Sequence, residues 1–163
     1  MRDLRRPRPP EAPPLDCTPE EQQEWLDALR AVDADVTQFA AGIALEHFSR
    51  AGVPTHAELP RADDWSGFAL YLMLSLSPVL DGGGDTEWVR ALMADLVELS
   101  LLNPSGSPEN RLAQLLAQFV QWGSYDPHRA AFIALLPPQA GPALELIREW
   151  EDEEERRKDE AYY

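Results

Sequence analysis

The sequence predicts an all-α fold: a single-domain bundle of about six helices joined by short Pro/Gly loops. Three observations carry that reading. Apolar residues recur at alternating three- and four-residue spacings. Cap-plus-proline starts recur at Thr18-Pro19, Ser107-Pro108 and Asp126-Pro127, and although Leu70, Leu72, Leu74 and Leu76 alternate in a way that also suits a strand, no segment carries a full strand or hairpin pattern. With 163 residues, 44% of them apolar and 9% aromatic, the chain is long enough for one packed core.

Residues 1–17 hold five of the fifteen prolines, with Arg2, Arg5, Arg6 and Arg8, and no apolar periodicity. They read as a flexible, disordered Pro/Arg-rich arm, partly polyproline-like. No apolar h-region follows the basic residues, so the arm is not a signal peptide. Pro7, Pro9 and Pro10 also stand where a twin-arginine signal would need apolar residues. The helical domain is expected over 18–150.

Thr18 can cap the first helix, Pro19 suits its first position, and Glu21 completes a capping box. Trp25, Leu29, Val32, Val36, Phe39 and Ile43 share one face, and Gly52 with Pro54 ends the run. Asp35 and Gln38 could begin a separate helix, so the pattern allows one long helix or two. A further helix is expected from Asp63 or Asp64 to about Leu76. Its sequence is apolar nearly all round, which predicts a central, covered helix; Ala, Leu and Met without β-branched residues favour helix over strand.

Asp81-Gly82-Gly83-Gly84-Asp85 reads as a loop, and Thr86 as the cap of a helix lined by Trp88, Leu92, Leu96 and Leu99 and closed by Asn103-Pro104. The next helix carries Leu112, Leu115, Leu116, Phe119 and Val120, closed by Gly123. A short one runs from Asp126 through Leu136 and stops at Pro137-Pro138. Pro142 opens the last, with Leu144, Ile147 and Trp150 inward. It continues as a charged helix extension over 151–163. Glu24-Trp25-Leu26 and Ala28-Leu29 resemble Glu87-Trp88-Val89 and Ala91-Leu92 at an offset of 63 residues. The match extends in neither direction and is read as chance resemblance between helix starts rather than a repeat.

The formal net charge is −15, with +2 over residues 1–14, −12 over 15–148 and −5 over 149–163. Acidity on this scale argues against direct nucleic-acid binding and against an anionic membrane surface. The most apolar stretch, Phe68 to Leu80, is thirteen residues, short of the roughly 20 that span a bilayer. One cysteine, Cys17, cannot form an internal disulfide, which suits a reducing cytoplasm. Thirteen arginines to one lysine suggest a GC-rich bacterial genome.

Little in the chain nominates an enzyme. His47, His56 and His128 lie in no metal-binding motif, one cysteine cannot build a thiolate zinc site, and no nucleophile elbow surrounds any serine. The triple glycine lacks the lysine, hydroxyl and preceding strand of a phosphate loop. No cofactor is expected. Two carboxylate pairs, Glu21 with Glu24 and Asp95 with Glu98, are three residues apart and could hold Mg²⁺ against substrate phosphates if their helices faced each other. That is the alternative reading: a Mg-dependent nucleotide hydrolase.

The leading reading is a non-enzymatic acidic interaction protein (an adaptor, immunity-type inhibitor or assembly subunit) that binds a basic protein partner. Its candidate contact residues are Glu151, Asp152, Glu153, Glu154 and Glu155, with Tyr162 and Tyr163 as aromatic surface at the tip. Acid-to-base pairs at Asp152–Arg156, Glu153–Arg157 and Glu154–Lys158 support the helix, each by a few tenths of a kcal/mol, and a solvated continuation, the ordinary fate of such charge runs, accounts for them without a partner. The sequence leaves the oligomeric state open.

Overall fold

The computed structural model describes residues 13–82, 84–102, 108–121 and 126–161, with side chains at 108–110, 121, 126–129 and 161 not described. Among these, six α-helices and two 3-10 turns form one all-α arrangement without strands. The helices are α1 (Pro19–Ala51), α2 (Trp65–Asp81), α3 (Glu87–Leu102), α4 (Pro108–Gln121), α5 (Asp126–Ala134) and α6 (Gly141–Ala161). The 3-10 turns, Leu59–Arg61 and Pro138–Ala140, precede α2 and α6. Of the flexible arm expected over 1–17, residues 1–12 lie outside the described part, as do Tyr162 and Tyr163.

α1 is one helix of 33 residues, not two. Thr18 Oγ1 accepts the Glu21 N–H at 3.2 Å, and Pro19 occupies the first position, where no N–H is needed. At the other end Gly52 takes a left-handed φ of 69° and its N–H bonds back to the last turn, a backbone state that glycine adopts without strain. Asp35 is exposed mid-helix and caps nothing. The apolar face is buried only from Val36 onward, while Trp25, Leu29 and Val32 stay half-buried.

α2 begins as expected, with Asp64 Oδ1 accepting the Gly67 N–H at 2.6 Å. It does not stop at Leu76, however, but runs through Pro78 to Asp81. Proline removes one bond, the one to the carbonyl four residues back. Here that residue is Leu74, 40% exposed, so water can satisfy the carbonyl. The Gly82 N–H then closes on the Pro78 carbonyl at 3.0 Å.

Nor is α2 the covered, central helix. Leu70 is 38% exposed and Tyr71 and Met73 are half-buried, leaving an open flank. The centre is α4, which packs against α2, α3, α5 and α6. Its leucine stripe is buried as expected, and Ala113 and Ala117 bury the adjoining side, where small side chains let neighbouring helices approach. Phe119 stacks on Phe132 of α5 at 4.1 Å and 7°. Each fully buried Leu or Phe of this kind contributes about 1.5–3 kcal/mol.

α3 starts with the Val89 and Arg90 N–H groups on the Thr86 carbonyl, but the side-chain cap comes from Asp85, whose Oδ1 accepts the Glu87 N–H at 3.0 Å. α5 is α-helical only to Ala134. Leu135 and Leu136 tighten onto the carbonyls of Phe132 and Ile133 before the two prolines. Ser75, which interrupts the apolar run of α2, is a buried tie. Its hydroxyl accepts the His56 N–H at 2.8 Å and donates to the Tyr71 carbonyl at 2.7 Å, fastening the α1–α2 connector to the helix.

Candidate interaction surface

The last buried residue of α6 is Ile147, and Trp150 and Glu151 are half-buried. Beyond them every described side chain from Asp152 to Glu160 is exposed. These nine residues at 1.5 Å each give about 14 Å of helix with every described side chain exposed. Successive residues step about 100° around the axis, so Glu151 to Glu155 ring the helix with acid, and Arg156, Arg157 and Lys158 form a basic ring next to it. Of the three expected pairs, only Glu153 with Arg157 is formed among the described residues, at 3.2 Å; Asp152–Arg156 and Glu154–Lys158 are not. The Asp152, Glu154, Arg156 and Lys158 side chains are exposed. Tyr162 and Tyr163, the aromatic half of the expected contact, lie outside the described residues.

The carboxylates of the hydrolase reading do not meet. Asp95 Oδ2 lies 2.8 Å from His47 Nε2, near the C-terminal end of α1. Glu24 precedes His47 by 23 residues of continuous helix, which is about 35 Å along the axis. Glu21 and Glu24 are exposed at one end of α1, and Asp95 sits at the other. Among the described residues no three His, Cys, Asp or Glu side chains converge to hold a metal ion.

Two polar clusters have no counterpart in the sequence reading. In the first, Arg111 of α4 is 2% exposed. Its Nη1 donates to Asp33 Oδ1 of α1 at 3.0 Å, and its guanidinium lies 4.9 Å from the ring centroid of Trp65. Trp65 completes the knot: its backbone N–H donates to Asp33 Oδ2 at 3.1 Å, and its indole Nε1 donates to the Arg111 carbonyl at 2.9 Å. Burial pushes the guanidinium below its ordinary pKa, and the charge and hydrogen bond of Asp33 push it back up. The cluster ties α1, α2 and α4 together and is structural. A signal was present, since Arg111 falls on the apolar stripe one turn before Leu115. Nothing local pointed to Asp33.

The second is the His47–Asp95 pair between α1 and α3. An ionised carboxylate only accepts, so the proton is on His47 Nε2. The His47 side chain is 13% exposed and borders an open groove of about 690 Å³ between the ends of α1 and α2 and the start of α3. Trp88 forms one wall, packed edge-on against Phe48 at 4.9 Å. Among the described residues, no serine, cysteine or lysine lines this groove. Of the other histidines, His56 stacks on Tyr71 at 5.0 Å and its Nδ1 accepts the Glu58 N–H, while the His128 side chain lies outside the described residues. Gly82 caps α2, Gly84 is exposed and Gly83 is not described. No described helix is long and apolar enough to cross a membrane. No protein-family model, curated protein or solved structure matches the chain.

Proposed function

We propose that this chain is an acidic helical interaction protein that binds a basic protein partner, with the projecting turns of α6 as its contact. The carrying observation is the exposure of every described side chain from Asp152 to Glu160 on a helix that continues unbroken from the core. A charged helix that packs on no other described part of its chain contributes no core burial, and a ring of five acids offers complementary charge to a basic surface. The surface matches the −12 carried by residues 15–148, so the whole body adds to long-range attraction. A cytoplasmic, bacterial setting fits the lone Cys17 and the arginine-rich composition.

The test is affinity capture at low and high salt, using the full chain beside one ending at Glu151. A basic protein retained at low salt, released at high salt and weakened by the truncation is the expected result. Retention indifferent to truncation moves the contact onto the bundle. Salt-insensitive capture, or none, overturns the reading.

A further inference from the structure

The described chain begins at Pro13 and reverses almost at once. The Cys17 N–H donates to the Pro14 carbonyl at 3.0 Å, closing a four-residue turn through Leu15 and Asp16. α1 starts two residues later, at Pro19. The first half of α1 follows directly on this turn.

A groove of about 510 Å³ lies there. Leu26 and Leu29 give it an apolar floor, and Asp33, Asp63 and Asp64 stand around it with Arg30. Arg30 is already paired with Asp27 at 3.7 Å. The floor belongs to the half of α1 whose apolar residues the bundle leaves half-buried.

Residues 1–12 suit this groove in charge, reach and chemistry. They carry Arg2, Arg5, Arg6 and Arg8 against Asp3 and Glu11, opposite the exposed Asp63 and Asp64, while Asp33 is already paired with Arg111. From Thr18, Leu26 and Asp33 lie about 12 and 22 Å along the helix axis, and twelve residues of polyproline-type chain span about 37 Å. Pro7, Pro10 and Pro13 repeat every three residues, the period that puts them on one edge of such a chain. A proline-rich strand loses little conformational entropy on docking to an apolar surface.

We propose that the Arg/Pro-rich segment 1–12 of this chain docks in the groove between α1 and the Asp63–Asp64 turn, with prolines on Leu26 and Leu29 and arginines on Asp63 and Asp64. This is a contact within the chain and stands independently of the partner reading. It covers the half of α1 that the other helices leave open.

The experiment compares backbone amide spectra of the full-length chain, a variant with Arg2, Arg5, Arg6 and Arg8 all changed to Gln, and Asp63→Lys. The altered side chains contribute nothing to the described core, so the variants fold, which far-UV circular dichroism verifies. Docking predicts that the Arg→Gln variant shifts the amides of Leu26, Leu29, Arg30, Asp33 and Asp63. Asp63→Lys and high salt should move the same signals the same way, independently of protein concentration. Changes confined to residues 1–17 overturn the proposal. So do changes centred on Leu70 and Leu74 or on the groove beside Trp88. Concentration-dependent shifts overturn it as well, since they place the segment on a second copy.

Discussion

Arg111 and Thr37 are both buried on helix faces that otherwise hold apolar side chains, and they meet different surroundings. Arg111 has Asp33, the Trp65 ring and a carbonyl bonded to the indole; the Thr37 hydroxyl, on a residue with no exposed area, has no partner among the described residues. Removing one member of a buried ion pair strands the other charge, so Asp33→Ala should destabilise the fold by about 3 kcal/mol in urea unfolding. Adding Arg111→Met to it should recover part of that loss. Simple additivity of the two single changes would show that the pair is not coupled. Thr37→Val keeps the shape and removes the unbonded hydroxyl. It should raise stability by about 1 kcal/mol, and a loss would mean that the hydroxyl is satisfied in solution.

At the scale of the element, helix starts were legible and helix environments were not. Caps are local: Thr18, Asp64 and Pro108 act within one turn, and their helices begin where the residues indicate. α2 passes its expected end at Leu76 because an internal proline need not stop a helix. Its cost depends on the solvent exposure of one carbonyl, and only the packed structure shows that Leu74 faces water. Pro78→Ala should restore the missing bond and lengthen no helix. A net gain of about 2 kcal/mol is expected after allowing for the freer unfolded chain, and unchanged stability would mean that hydration of the Leu74 carbonyl fully replaces that bond. Centrality was misassigned for a related reason. Apolar residues all round α2 looked like full burial, yet Leu70 and Leu74 stay open, while α4 reaches the centre with alanines that the periodic pattern did not single out.

For the whole molecule, charge and core are separable. The net charge of −15 is self-repulsive, so added neutral salt should raise the thermal midpoint before any partner is considered, and a flat salt response would show the acids to be locally compensated. A chain ending at Glu151 loses no buried residue among the described ones. Its thermal midpoint should match that of the full chain, and a marked drop would mean that the last turns pack on something. The expected contact residues were half legible. A run of five acids is visible in any reading of the sequence, but that it rings a helix free of the core required coordinates. The carboxylate pairs show the converse, since spacing places two acids on one face but says nothing of what lies across from them. About 35 Å of helix separates Glu24 from the His47–Asp95 contact.

The sequence by itself determined the helical class, the cap at each legible start, the leucine stripe of α4 and the acidic excess, because each follows from residues within one or two turns of each other or from composition alone. Tertiary structure decided which helix is central, that α1 is one rod, that Arg111 meets Asp33 across 78 residues of chain, and that α6 outruns the core. Those outcomes rest on contacts between distant segments. Such contacts form because burying one face of a helix requires another element's surface, and the pattern along a helix records only that a face must be covered.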